Sequence, residues 1–115
     1  MMTFICNLQA DTPDFFEGEL AYKKDDYKKA FAIWTSLPED VDAQKALGLM
    51  YKNGKGVAVD QKMAFHWLLK AAQQDEAHAQ YLVGLMYLDA QGVRRDTRKA
   101  YFWLKKSAEE DYVEA

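Results

Sequence analysis

Few side chains in this 115-residue chain could carry chemistry, and their spacing does not bring them together. A metal site or a general base would be sought first at histidine. His66 and His78 fall in different predicted helices, and Glu76, two positions before His78, would point away from it on a helix. Asp60 and Asp96 recur at one repeat spacing, and the functional reading of such a pair is an acid catalyst or metal ligand, but no His, Cys or carboxylate recurs beside them. Their place just before an apolar helical run fits N-capping, in which a carboxylate accepts from free backbone N–H groups. Gly54-Lys55-Gly56-Val57 has the look of a phosphate loop, yet it returns as Ala90-Gln91-Gly92-Val93, without the first glycine and the lysine. It reads as a connector. Cys6 is the lone cysteine, so no internal disulfide is possible. No catalytic residue, metal ligand or cofactor site is predicted.

Arg94, Arg95, Arg98, Lys99, Lys105 and Lys106 form one basic cluster, open to two readings: a phosphate or nucleic-acid site, or a solvated helix face. The whole chain has net charge −3, which favours the second, since nucleic-acid binders carry a basic excess. The charge is unevenly spread: residues 1–42 hold nine acids and four bases, residues 43–115 nine acids and eleven bases. Solvated faces explain this, as would an acidic end that steers a basic partner. No apolar stretch approaches the ~20 residues of a membrane span. The first eight residues contain no basic residue and do not read as a secretory signal, so the expected location is the cytoplasm.

The elements that hold these residues follow from an internal repeat. Shifted by 36 positions, residues 43–78 and 79–114 match at 15 of 36 places, where chance gives about one in fifteen. Gly48-Leu49-Met50-Tyr51 returns as Gly84-Leu85-Met86-Tyr87, and Trp67-Leu68 as Trp103-Leu104. Apolar residues at steps of three and four predict two helices per unit: Ala43, Leu47, Met50 and Tyr51 on the first, Ala64, Trp67, Leu68 and Ala71 on the second. Glycine costs about 1 kcal/mol mid-helix, so Gly48 and Gly84 predict close helix contact there, with Ala64 and Ala100 facing them. Trp67 and Trp103 are expected to fill the space between units. Residues 13–37 form a shorter third unit, starting at Thr12-Pro13, turning at Lys24-Asp25-Asp26 and ending before Pro38.

These strings resemble Sel-one-like repeats, at residues 43–76 and 77–112. The carriers are Leu47-Gly48-Leu49-Met50-Tyr51 and Val83-Gly84-Leu85-Met86-Tyr87, each followed by Gly-Val, an aspartate and Ala-x-x-Trp-Leu. Residues 13–37, with Gly18-Glu19-Leu20-Ala21-Tyr22 and Asp25-Asp26-Tyr27-Lys28-Lys29-Ala30, resemble the related tetratricopeptide repeat. The resemblance covers about nine-tenths of the chain and implies an all-α fold: a single right-handed α-solenoid of about three antiparallel helix pairs, the first helix of each lining the concave face. Two departures stand out. Ala90 occupies the first loop-glycine position, which predicts a loop of somewhat different shape from that at Gly54. Ser107 replaces the alanine seen at Ala71, a mild change at a packing seam.

The resemblance also implies where a partner would bind. Tetratricopeptide-type units use three first-helix positions on one face, which here are Phe15, Glu19 and Tyr22, then Lys45, Leu49 and Lys52, then Tyr81, Leu85 and Leu88. An apolar row ringed by charge suits a protein-binding patch, although Leu49 and Leu85 are equally read as buried between helices. The expected function is a protein-interaction module that holds a partner protein or peptide on the concave face, with no nucleic acid and no membrane. An inhibitor or immunity protein blocking an enzyme or toxin is the alternative, and an enzyme a remote one. The last unit reaches Ala115 as a further repeat would begin; an uncapped final pair would allow self-association.

Overall fold

A computed structural model describes residues 14–110. The Thr12-Pro13 helix start, Cys6, and the unit end at Tyr112 and Ala115 lie outside the described residues. Six helices follow one another: α1 (Phe15–Lys23), α2 (Tyr27–Thr35), α3 (Val41–Asn53), α4 (Gln61–Gln73), α5 (Ala77–Asp89) and α6 (Thr97–Glu109), with no strand among the described residues. They form three pairs, α1 with α2, α3 with α4 and α5 with α6, and each pair packs on the next. The result is a helical repeat solenoid, 56 × 30 × 19 Å, whose 15.9 Å radius of gyration exceeds the ~13 Å of a compact domain this long.

Every helix begins on an acid. Asp14, Asp26, Asp40, Asp60, Glu76 and Asp96 each accept from the backbone N–H three residues on, at 2.7–3.2 Å. Each such cap is worth roughly 1 kcal/mol. Asp60 and Asp96 are therefore caps, as their spacing predicted, and four further acids do the same work.

Within a pair, the first helix approaches the second at its glycine. A Cβ on Gly48 would lie 2.5 Å from Leu68 Cγ, and one on Gly84 2.7 Å from Leu104 Cγ. In the first pair a Cβ on Gly18 would collide with Nε1 of the Trp34 indole. The seat is thus the same in all three pairs, and a tryptophan takes the leucine's place in the first. Buried residues form two clusters, one joining the first pair to α3, the other joining α4 to the last pair. The core therefore lies at the joints as well as within pairs.

Two expectations are corrected. Trp67 and Trp103 are half-buried and lie against these clusters rather than filling them; the indole that is fully enclosed is Trp34, 3% exposed. Lys70 Nζ sits 5.1 Å from the Trp67 ring centroid. Nor does the second loop differ in shape. Ala90 adopts φ 57°, ψ 43°, matching Gly54 at φ 71°, ψ 39°. The flanking bonds repeat too: Asp60 and Asp96 N–H donate to Tyr51 and Tyr87 O at 3.0 and 3.1 Å. The shape is imposed from outside. A Cβ on Gly56 would lie 2.8 Å from Tyr27 O, and one on Gly92 would collide with Gln61 O, so each loop is pressed onto the start of the preceding pair's second helix.

Two alanine–glycine exchanges should therefore have opposite signs. Ala90→Gly relieves a left-handed alanine on the surface and should raise unfolding free energy by about 0.5–1 kcal/mol. Gly48→Ala gains helix propensity but drives a methyl into the fully buried Leu68, for a net loss of about 1–2 kcal/mol. Urea melts of the two variants check both signs.

Candidate protein-binding groove

The nine positions predicted to face a partner fall on the three first helices: Phe15, Glu19 and Tyr22 on α1, Lys45, Leu49 and Lys52 on α3, and Tyr81, Leu85 and Leu88 on α5. The structure brings five of them together. Phe15, Glu19, Tyr22, Lys45 and Leu49 line a groove of about 490 Å³ between α1 and α3. Lys52, Tyr81, Leu85 and Leu88 lie outside its lining. Of these four Leu88 is exposed, at 39%, and the others are half-buried.

The groove is aromatic, and its floor is fixed. Trp34 stacks on Phe15, with centroids 5.4 Å apart and planes 20° apart, and lies 5.9 Å from Tyr22. Its Nε1–H donates to Phe15 O at 3.1 Å, which ties α2 to the first turn of α1. Tyr22 meets Tyr27 edge-on at 4.9 Å. The Tyr27 hydroxyl donates to Asp25 at 3.0 Å, and that bond, together with some burial and the carboxylate's charge, raises the phenol's pKa above its ordinary value. Phe16, Lys23, Trp34, Asp42 and Ala46 also line the groove and were not among the predicted positions. Phe16 and Lys23 each follow a predicted position by one residue, and Asp42 and Ala46 precede Lys45 and Leu49 by three, so a wider stripe on the same helical face would have included them.

Lys45 has a structural task as well. Its Nζ bonds Glu76 Oε2 at 3.0 Å, while Glu76 Oε1 caps α5 by accepting from Ala79 N at 2.7 Å. One carboxylate thus joins α3 to the start of α5, and the charge of Lys45 is largely matched before any ligand arrives.

A second polar feature, unassigned at the sequence level, holds the joints. Gln44 and Gln80, buried at equivalent positions, donate to carbonyls that precede their own helices: Gln44 Nε2 to Pro38 O, in the connector before α3, at 2.8 Å, and Gln80 Nε2 to Ala72 O, in α4, at 3.1 Å. Gln44 Oε1 in turn accepts from Gln74 Nε2 at 2.8 Å. Thirty-six residues after Gln74 stands Glu110, which as a carboxylate cannot donate, and Gln80 Oε1 has no partner among the described residues. Ser107, expected as a mild substitution, is fully buried and donates its Oγ–H to Ala77 O at 2.8 Å, closing the last pair. Among the described residues no three His, Cys, Asp or Glu side chains converge, and no helix is long and apolar enough to cross a membrane.

Such stacked pairs with a groove on the first helices define the class of helical-repeat scaffolds. A Sel1 repeat model matches residues 41–76 and 77–112, and the chain belongs to the Sel1 repeat family. Among solved structures it is similar to a Sel1 repeat protein from Oxalobacter formigenes, with TM-score 0.82 and 31% identity over 86% of this chain and 42% of that one. It is also similar to c5321, a protective antigen present in uropathogenic Escherichia coli strains displaying an SLR fold, with TM-score 0.79 and 33% identity over 89% of this chain and 23% of that one. The chain therefore spans less than half the length of either protein. No curated protein matches the sequence. Sel1 repeats are non-catalytic scaffolds that generally mediate protein–protein interaction.

The lone Gln80 carbonyl yields a test. Glu110→Gln supplies the amide that Gln74 supplies one unit earlier and should raise stability by about 1 kcal/mol, the usual worth of one satisfied buried hydrogen bond. Gln74→Glu should lower it by a similar amount. Thermal and urea melts of both variants check the pair.

Proposed function

We propose that this chain is a protein-interaction module that holds an extended segment of a partner protein in the groove between α1 and α3. One observation carries this reading: five of the nine groove positions converge on an aromatic surface whose floor, Trp34, is already stacked and hydrogen-bonded. Rigid aromatic anchors in a concavity are the usual centre of an interface, because they bury much area and lose little freedom. Charge narrows the partner. With Lys45 engaged by Glu76, the groove's remaining charged side chains are Glu19, Asp42 and Lys23, an acidic balance. The pair that forms its outer wall, residues 14–36, holds five acids and four lysines. A segment with one large apolar side chain flanked by lysine or arginine fits this surface.

Selection of peptides from a random displayed library against the immobilised chain tests the reading. Enriched sequences should combine an aromatic or leucine with a basic neighbour. The best peptide, titrated by calorimetry, should bind Phe16→Ser at least tenfold more weakly, about 1.4 kcal/mol. Phe16 is 71% exposed, so the variant should melt like the parent. Phe102→Ser, which removes an exposed ring on α6 outside the groove, should bind normally. Loss of binding at Phe102 but not at Phe16 would place the site on the outer helices and overturn the assignment.

A further inference from the structure

The two internal joints show what this solenoid places on the outer face of a second helix. At the first, Phe31 of α2 meets Tyr51 of α3 edge-on at 5.6 Å; at the second, Phe65 of α4 meets Tyr87 of α5 at 5.2 Å. The residue equivalent to Phe31 and Phe65 in the last pair is Tyr101, and no described helix covers it: it is 67% exposed, whereas Phe31 and Phe65 are half-buried. Leu104 is likewise half-buried where Leu68 is fully enclosed. Phe102 does not share this meaning, because its equivalents Ala32 and His66 are exposed beside complete joints.

The opposite end of the solenoid has the complementary face. Aligned on the helix glycine, Tyr51 and Tyr87 correspond to Ala21 of α1, and Leu47 and Val83 correspond to Glu17. Ala21 and Glu17 both line a cleft of about 410 Å³ on α1 and α2, together with Leu20, Lys24, Asp26 and Lys29. On the α6 side, Lys105 stands where α4 has Leu69, which packs against the cluster containing Val83. Laid in the register of an internal joint, the two ends therefore exchange both kinds of contact in a matched way. The ring-on-ring pair becomes Tyr101 over Ala21 in a cleft, and the apolar Leu69–Val83 neighbourhood becomes Lys105 beside Glu17. The wider charge agrees in sign: residues 94–110 hold six bases and three acids, net +3, and residues 14–36, which make up the first pair, five acids and four lysines, net −1.

We propose that copies of this chain stack head to tail, the outer face of α6 of one copy seated on α1 and α2 of the next, in the register of the internal joints. Such a contact is heterologous and leaves a free end on each copy, so it builds open chains rather than a closed dimer. It uses Tyr101 and Lys105 at one end and Leu20, Ala21 and Glu17 at the other, none of which lines the peptide groove. Held by one seated ring and opposite charges at a solvent-accessible rim, the joint is concentration-dependent and weakened by salt.

Sedimentation velocity on the 115-residue chain, from about 10 µM to about 1 mM and at about 0.05 M and about 0.5 M salt, tests this. The average mass should climb above 13.3 kDa with concentration at low salt, without stopping at twice that value, and fall back at high salt. Lys105→Glu alone and Glu17→Lys alone should each stay monomeric, since each sets like charges against one another at the joint. An equimolar mixture of the two should assemble again, because every contact between unlike copies restores an opposite pair. Should Glu17→Lys fold poorly by circular dichroism, Glu17→Gln with Tyr101→Ser replaces it, and each should lower assembly by about tenfold in dissociation constant. A mass fixed at 13.3 kDa throughout overturns the proposal. So does a closed dimer that survives both charge reversals, or a mixture that fails to assemble where the parent does.

Discussion

The distance between the two helices of a pair depends on one contact, a glycine on the first helix lying directly under a bulky side chain of the second. The groove is a consequence of which side chain takes that seat. Leu68 and Leu104 fill it in the second and third pairs and extend no further. Trp34 fills it in the first pair, and its larger ring reaches through to stack with Phe15 and approach Tyr22. Equivalent first-helix positions on α5 have no such floor beneath them, and the groove is accordingly found between α1 and α3. A packing choice in the first pair thus becomes a binding surface through the geometry of a single residue.

Stability in such an array is close to a sum of terms for each pair and each joint, because each repeat packs chiefly on its neighbours. Each joint here has the same parts: a buried glutamine amide on a preceding carbonyl, a phenylalanine against a tyrosine, and, at the two longer units, a loop glycine pressed on the preceding pair. The parts thin out toward α6. Among the described residues Gln80 Oε1 has no donor, and Lys105 stands where an apolar residue packs one repeat earlier. Local opening should nonetheless be easiest in the first pair, whose nine-residue helices touch each other, and α3, more sparsely than the thirteen-residue helices of the later units do.

The pair boundaries, the loops and the capping by Asp60 and Asp96 were legible because a 36-residue repeat shows the same local signal twice. What the repeat concealed were differences in role at equivalent positions. Trp67 and Trp103 are large and recurrent, and size suggested a core position; yet Leu68 and Leu104, one residue along, are the ones beneath which glycine sits. Ala90 was read as a change of loop shape because alanine resists φ > 0, but packing on the preceding pair sets the shape, and the alanine bears the strain. Gln44 and Gln80 recur plainly, but a buried amide is recognisable only when the carbonyl it meets is in place, and the two carbonyls, Pro38 O and Ala72 O, do not stand at equivalent positions of the repeat. The groove positions follow from helical periodicity. That one groove forms at the first two pairs could not follow from periodicity, since it depends on the reach of Trp34 across a turn four residues shorter than in the later units.

The groove and the ends of the solenoid share one helix, and this links them thermodynamically. Phe16, at the rim of the groove, and Leu20, in the head cleft, are four residues apart on α1, on one side of the helix and both largely exposed. A second copy seated on Leu20 would stand beside Phe16 and extend the groove wall by a helix. A peptide long enough to touch that added wall gains contacts available only in the stack, while a shorter one gains none. For the longer peptide, whatever factor stacking adds to its affinity, the peptide must add to stacking, because the four states form a closed cycle. The length of the bound segment, more than its sequence, then decides whether occupancy of the groove and assembly of the chain are coupled or independent.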